Sequence, residues 1–288
     1  MIEIVEAYGF KFAIPAGDQA VGRCLRTYGE FGRVGATFCA QLSAGATFVD
    51  VGANVGAYAL PVSRQAARVV AIEAQPAICD LLRRNVAENA AGNIEVIAAA
   101  AGAEAGVIQV PAADLDADLN FGAIGLHSWR GPTVEAAMVR LDDVAPADTR
   151  VVKIDVEGYE GHVLNGAPRL ISSVRPYWMI ELGADRALCH RLIQGLQESG
   201  YRTYWFFDPF VTRRAPRGDP AREGSRGDLS VLAASHEQGQ PDGMVEIGHT
   251  YEWPTTTRGC EYLRGFGIRP FDVEIDGQPP PPHDGSEP

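Results

Sequence analysis

Residues 47–58, TFVDVGANVGAY, run from a short apolar, β-branched stretch straight into a glycine turn and the start of a helix. This succession restricts the chain to α/β folds more than any other feature does. A run this short with apolar residues on both faces is expected of a strand covered on both sides in a parallel sheet. Gly52 and Gly56 supply either positive φ or a surface where a ligand lies against bare backbone. The helix opening at Ala57, Tyr58, Ala59 and Leu60 turns its first free N–H groups toward that loop. Glu73 closes the next apolar run, RVVAIE, at the distance from which an acid commonly holds the two hydroxyls of a ribose.

The loop also limits which nucleotide fits. A dinucleotide site needs G-x-G-x-x-G so that backbone approaches the pyrophosphate, but here the middle position is Asn54 and Asp50 stands just before the turn. A negative charge there opposes a pyrophosphate and suits a ligand with an ammonium group, which S-adenosyl-L-methionine carries on its methionine end. The competing readings are a generic βα turn, a nicotinamide-dependent oxidoreductase, and a binding module that has lost activity. Asp50, Gly52, Gly56, Glu73 and Asp155 standing together count against the last.

The 288 residues, 46% of them hydrophobic, suit one large domain with additions. A net charge of −12 opposes a phosphate-binding surface, so no nucleic-acid partner is expected. Arg213, Arg214, Arg217, Arg222 and Arg226, spaced by glycines and prolines, read as a solvated loop. Cys24, Cys39, Cys79, Cys189 and Cys260 form no C-x-x-C pair, which favours a reducing compartment. The N-terminus carries acids where a signal peptide has positive charge, and no segment approaches 18 apolar residues. A cytoplasmic protein without a membrane partner is the expectation.

Residues 1–45 read as a hairpin and a helical lead-in, and 46–236 alternate strands with helices. The third strand is expected over 93–100, an excursion at the ligand edge over 102–141, a fourth strand over 151–156 and a fifth over 177–182. A helix over 185–199 and an antiparallel hairpin of 201–207 with 228–233 follow. In 237–270, Trp253, Tyr262, Leu263, Phe266 and Ile268 must pack on something. A place near the acceptor cleft, where they shape acceptor choice, or a contact between subunits in a homo-oligomer is expected. Residues 271–288, rich in proline, read as a disordered tail.

Several strings together carry a resemblance. They are VDVGANVG at 49–56, VAIEAQP at 70–76 with Asn85 and Asn89 after it, RLDD at 140–143, VKIDVEGYE at 152–160, VLNGA at 163–167, and Glu181. Over about residues 28–235 the chain resembles the FkbM-type S-adenosylmethionine-dependent methyltransferases. The first string is common to many methyltransferases, and KIDVEGYE at its distance behind is the specific one. At Gln75 the chain departs from the direct Glu-Pro pair of the common pattern but keeps both the acid and the proline. The resemblance implies a Rossmann-like class I methyltransferase fold, a mostly parallel doubly wound sheet with a C-terminal antiparallel hairpin. It also implies O-methylation of a hydroxyl on a sugar, polysaccharide, polyketide or related metabolite, so that a small molecule or glycan is the partner. Asn120 and Phe121, in an asparagine-aromatic-glycine element, are implied to cover the cofactor or acceptor, and Glu30 to lie over the methionine end. Tyr58 at the helix start and Ala100 at the close of the third strand complete the cofactor-binding set of Asp50, Gly52, Asn54, Gly56 and Glu73.

Methyl transfer from a sulfonium is an in-line displacement, and positioning supplies much of its acceleration. A hydroxyl acceptor must still lose its proton to a carboxylate or histidine within hydrogen-bond reach. Asp155, Glu157 and Glu181 at the sheet edge, and His162 on the following helix, are the candidates. Asp155, between Ile154 and Val156, is expected to be raised in pKa by desolvation, or else to cap the turn after it. Lys153 reads as the structural partner of an acid. No magnesium ligand string of the catechol methyltransferase kind is present, so no metal is expected. His127 reads as structural or solvated, and Phe31, Phe38 and Phe48 as core.

Overall fold

A computed structural model describes residues 1–112, 114–125, 129–223 and 226–270. His127 and the 271–288 tail lie outside the described residues. The chain opens with the hairpin β1 (Ile2–Ala7) and β2 (Phe10–Pro15), then the helices α1 (Val21–Tyr28) and α2 (Arg33–Leu42). Next come β3 (Thr47–Val51), α3 (Ala59–Ser63), β4 (Arg68–Glu73), α4 (Pro76–Glu88) and β5 (Ile94–Ala98). Three short strands follow, β6 (Ala100–Ala101), β7 (Gly106–Pro111) and β8 (Thr133–Val139), then α5 (Leu141–Val144), β9 (Thr149–Ile154) and α6 (Glu160–Asn165). The last elements are β10 (Tyr177–Glu181), α7 (Arg186–Glu198), β11 (Tyr201–Pro209), β12 (Gly227–Ser235) and β13 (Val245–Glu246).

Eight strands make one sheet in the order β13-β11-β12-β10-β9-β3-β4-β5. β5, β4, β3, β9 and β10 run parallel, while β12 pairs antiparallel with both β10 and β11. This is the mostly parallel class I methyltransferase arrangement with its antiparallel C-terminal hairpin. All five residues of β3 are buried, as the apolar run requires of a strand covered on both faces. The chain's path across the sheet reverses between β3 and β9, so the crevice beyond the carboxyl ends of these two strands is where an open α/β sheet holds a ligand.

The third strand ends at Ala98, two residues short of expectation. Ala100–Ala101 leaves the main sheet and pairs with β8, which pairs with β7 in a separate three-stranded sheet. The expected excursion is therefore a small sheet of its own. Asn85 and Asn89, flagged only by motif, fasten the N-terminal hairpin to α4. Asn85 Oδ1 accepts from Ala13 N at 2.6 Å, and its Nδ2 donates to the Ala13 and Val55 carbonyls. Asn89 exchanges hydrogen bonds with Lys11 N and O.

One expectation is corrected and another is narrowed. The arginine loop is pinned to the domain: Arg217 donates to the Glu6 and Leu25 carbonyls, and Arg226 lies 5.6 Å from the Phe210 ring centroid. Glu223, paired with Arg23, holds the same loop against α1. The 237–270 segment packs on a sheet edge, the outer edge of β11. β13 pairs with Tyr204 and Trp205, and Trp253 and Tyr251 pack on the Trp205 ring. Tyr262 stacks on Phe206 with centroids 5.0 Å apart, donates to Phe207 O at 3.0 Å and accepts from Phe207 N at 2.7 Å. These aromatics cover a strand edge that would otherwise present unpaired backbone groups.

Tyr262→Phe leaves both Phe207 backbone groups without a partner on that side, at a cost of about 1–3 kcal/mol. Urea unfolding of the variant should show that loss with no change in ligand affinity. Equal stability would mean that the tyrosine hydroxyl does not seal the edge.

Candidate active site

The glycine loop is shaped from below by backbone. Gly52 has φ +80°, and a Cβ there would run into the Asp155 carbonyl, while Asp155 N donates to Val51 O at 3.0 Å. The ends of β3 and β9 are thereby locked side by side, which only glycine allows. Gly56, at φ +92°, leaves room for Leu82 and, unlike the expectation for it, shapes the turn without lining the cavity. Asn54 takes φ +50° and accepts at Oδ1 from Val55 N, a conformation asparagine tolerates through local hydrogen bonding. Glu73 accepts from Asn54 N at 2.9 Å and Gln75 N at 2.8 Å, so one carboxylate braces the loop and the start of α4.

Above this frame lies a cavity of about 160 Å³. On the side of β3 and β4 it is lined by Asp50, Gly52, Asn54, Glu73 and Ile78, on the side of β9, β10 and β12 by Lys153, Asp155, Glu157, Glu181 and Asp228, and elsewhere by Phe31, Tyr58, Ala100, Asn120, Phe121, Tyr159 and Phe210. Asp50 is 1% exposed, and neither of its carboxylate oxygens makes a hydrogen bond of normal geometry among the described residues, the Ala59 N–H bearing on it only weakly. Burial pushes its carboxyl up to about 6, against the pull of Lys153. A buried carboxylate facing an open cavity without a donor is costly unless a ligand supplies one.

The other side of the cavity is a set of acids around one ammonium. Lys153 Nζ lies 2.8 Å from Asp155 Oδ2 and 4.7 Å from the Tyr58 ring centroid. Burial opposes ionisation of Asp155, but Lys153 and a hydrogen bond from Glu181 outweigh it and hold the carboxyl below its ordinary value. The expectation that desolvation raises Asp155 is thus overturned by the lysine beside it. The raised groups are its neighbours. Burial and the Asp155 charge push Glu157 up to about 8. Burial, with the charge of Asp155 and of other nearby acids, pushes Glu181 and Asp228 well above the usual range. Lys153 itself stays charged because Asp155 and Asp50 outweigh its burial. Acids whose environments push them apart are candidates for distinct proton-handling roles.

Not every sequence candidate reaches the cavity. Glu30 is fully buried beside it, with its carboxylate held by Thr212 N at 2.5 Å and Arg33 at 2.9 Å, and its neighbour Phe31 forms the wall in its place. Phe31 is therefore not simple core. Tyr8 bonds to both its backbone groups, and its ring stacks on Phe210 at 5.2 Å. His162 is exposed on α6, its ring stacked on Tyr159 at 4.3 Å, outside the cavity. No residue of 237–270 lines the cavity.

Asp228 escaped sequence reasoning because it enters from the antiparallel β12, whose Ser230 pairs with Glu181. No linear spacing signals that approach. Asp155, Glu157 and Glu181 each offer an oxygen within 4.8 Å of the others, a convergence of two strand ends that the sequence does not display. Among the described residues no helix is long and apolar enough to cross a membrane.

A family model, the methyltransferase FkbM domain, matches residues 50–203, more than half of the chain. The probable ribosomal RNA small subunit methyltransferase A of Methanosphaera stadtmanae is 37% identical over 51 residues, which are 18% of this chain and 19% of that protein. Among solved structures, the methyltransferase FkbM from Methylobacillus flagellatus KT is similar at 21% identity and a TM-score of 0.44, over 66% of this chain and 43% of that one. The precorrin-6y C5,15-methyltransferase from Geobacter metallireducens GS-15 is similar at 15% identity and a TM-score of 0.45, over 70% and 86%. The chain thus spans less than half of the Methylobacillus protein and about a fifth of the Methanosphaera one.

The acid array sets how stability depends on pH. A carboxyl raised in the folded chain contributes stability that is present below its unfolded pKa and lost as pH rises through the folded value, about 6 for Asp50 and about 8 for Glu157. Asp155, lowered, contributes above its unfolded pKa and loses that only in acid. The ligand-free melting temperature should therefore fall between pH 5 and pH 8. Asp228→Asn, which removes a costly buried ionisable group without changing shape, should raise it at pH 8 by about 2–4 °C, the shift that ~1 kcal/mol gives in a chain of this size, and less at pH 5. A flat profile, or a melting temperature lowered by Asp228→Asn at pH 8, would contradict the array.

Proposed function

The chain belongs to the FkbM methyltransferase domain family, and from that premise we propose that it binds S-adenosyl-L-methionine and methylates a hydroxyl of a sugar, polysaccharide, polyketide or related metabolite in the cytoplasm. The observation that carries the reading is Asp50, a buried carboxylate whose oxygens make no hydrogen bond of normal geometry among the described residues, lining the cavity beside a glycine loop with bare backbone. It offers the cofactor's ammonium what the loop lacks for a pyrophosphate. Glu73, on the same side of the cavity, keeps lone pairs for the ribose hydroxyls while its two bonds to Asn54 N and Gln75 N fix its position. Ala100, Asn120, Phe121 and Ile78 supply apolar and amide surface for a base.

When bound, the cofactor supplies an electrophilic methyl on a good leaving group. The chain's residues orient the acceptor and take its proton. Among the acids, Glu157 has the pKa nearest the working range of a general base. It stands at φ +52°, a strained conformation for a side-chain-bearing residue, and this turns it into the cavity. Asp155, ionised beside Lys153, is placed to accept a hydrogen bond from the acceptor and to favour the cation on the cofactor. Glu181, protonated against Asp155, acts as a donor. A nicotinamide enzyme is opposed by the same Asp50 charge.

Titration calorimetry should give micromolar affinity for S-adenosylmethionine and its demethylated product and none for NAD. Glu73→Ala should weaken binding by about 1–3 kcal/mol, the cost of unpaired ribose hydroxyls. NAD binding without S-adenosylmethionine binding would end the reading. With an acceptor in hand, Glu157→Gln should keep cofactor affinity and lower turnover by about 10²–10⁴-fold, and the wild-type rate should rise with pH through about 8 as Glu157 loses its proton. If Asp155→Asn abolishes turnover while Glu157→Gln leaves it unchanged, Asp155 is the base.

A further inference from the structure

Lys153 has two buried carboxylates to choose between. Asp50 stands beside it across the parallel ladder of β3 and β9, and Asp155 follows it by two residues. Burial opposes the lysine's charge, and Asp155 and then Asp50 support it. An ammonium has three protons to give, and a position bridging both acids would relieve the burial of Asp50. The lysine does not take that position. It bonds to Asp155 at 2.8 Å, while neither Asp50 oxygen makes a hydrogen bond of normal geometry among the described residues.

A ring face holds it elsewhere. Lys153 Nζ lies 4.7 Å from the Tyr58 ring centroid, within the range where a ring attracts an ammonium, and the attraction is stronger where water is excluded. The ring is anchored from behind. Its hydroxyl donates to one oxygen of Asp208, a buried residue of β11, whose other oxygen accepts from Gly35 N at 3.1 Å. Helix α2 and the residue before it leave the slot for this pair. A Cβ at Gly35 would run into both the Tyr58 hydroxyl and the Asp208 carboxylate, and one at Gly32 would come within 2.8 Å of the Tyr58 ring. Asp208 itself is outside the set of residues that line the 160 Å³ cavity.

We propose that Asp208 is a positioning residue: by fixing the Tyr58 ring it holds Lys153 on Asp155 and off Asp50, which leaves Asp50 to the ammonium of the cofactor. This rests on the S-adenosylmethionine reading and adds to it the residue that keeps the ammonium site open. When the anchor is lost, the ring is free to leave its slot and the lysine to turn to Asp50. A salt bridge within the protein then occupies the carboxylate that the ligand needs, and the ligand must displace the lysine before it binds. The nucleoside end of the ligand does not depend on that exchange.

Two readouts on the full chain test this, and one needs no ligand. In a carboxyl-carbon NMR titration of the ligand-free chain, Asp208→Ala should move Asp50 below its value of about 6 and Asp155 upward, because the lysine changes partner. Tyr58→Phe, which keeps the ring and drops only its bond to Asp208, should shift both in the same directions and serves if Asp208→Ala does not fold. In calorimetry Asp208→Ala should weaken the demethylated cofactor about tenfold, the equivalent of one charge-assisted hydrogen bond. The deamino analogue, in which hydrogen replaces the ammonium, should bind wild type and variant alike. A merely structural role would weaken both ligands together. Equal loss for the two ligands, or an Asp50 that neither variant moves, would overturn the proposal. A wild-type chain that binds neither ligand would overturn the methyltransferase reading instead, and the NMR titration would still decide whether Asp208 directs the lysine.

Discussion

Lys153 is a single ammonium, 8% exposed, in a cavity lined by six carboxylates, and the chemistry of the site follows from where it points. It chooses Asp155 at 2.8 Å. That choice keeps one acid ionised, and the fixed negative charge then works together with burial to raise Glu157, Glu181 and Asp228. Without the lysine, four neighbouring carboxyls would share protons with no preferred arrangement. With it, the carboxyls are spread apart, Asp155 held low, Glu157 raised to about 8, and Glu181 and Asp228 raised well above the usual range. The lysine is in turn held by the strand pairing that sets Asp50 opposite it and by the Tyr58 ring.

The scaffold makes this arrangement possible at one place. β3 and β9 are sequence-distant strands that become neighbours where the sheet's order reverses, and Gly52 lets their following loops touch through the Asp155 carbonyl. One side of the cavity grows from β3 and β4 and the other from β9, β10 and β12. Tyr58 joins the two sides. It reaches from the start of α3 to donate to Asp208, which also accepts from Gly35 N, so the ring under Lys153 is tied to β11 and α2.

Much of this is legible in the residues. The strand-turn-helix at 47–58, the acid at Glu73, the string KIDVEGYE and Glu181 placed the cavity's edge and its charged lining apart from Asp228, because parallel strands bring their carboxyl ends to one edge by rule. What was not legible arrives across the antiparallel hairpin or through the chain's excursions. Asp228 faces Glu181 only because β12 turns back beside β10. The sign of the Asp155 shift turned on how closely Lys153, read in the sequence only as the partner of an acid, approaches Asp155, a distance that strand periodicity does not supply. Glu30 looked like a ligand group but is consumed by Arg33 and Thr212 N, and the 237–270 aromatics seal an edge strand rather than a cleft. Proximity in the chain predicted residue type in these cases and misjudged what the side chain touches.

The central claim is that one lysine divides the acid array, and its most direct test is a carboxyl-carbon NMR titration of the chain labelled at Asp and Glu. The account predicts that Asp155 titrates below its ordinary range, Glu157 near 8 and Glu181 above the usual carboxylate range, and that Lys153→Met moves Asp155 upward and removes the separation. Carboxyls that titrate together in the ordinary range, or a pattern unchanged by Lys153→Met, would contradict it.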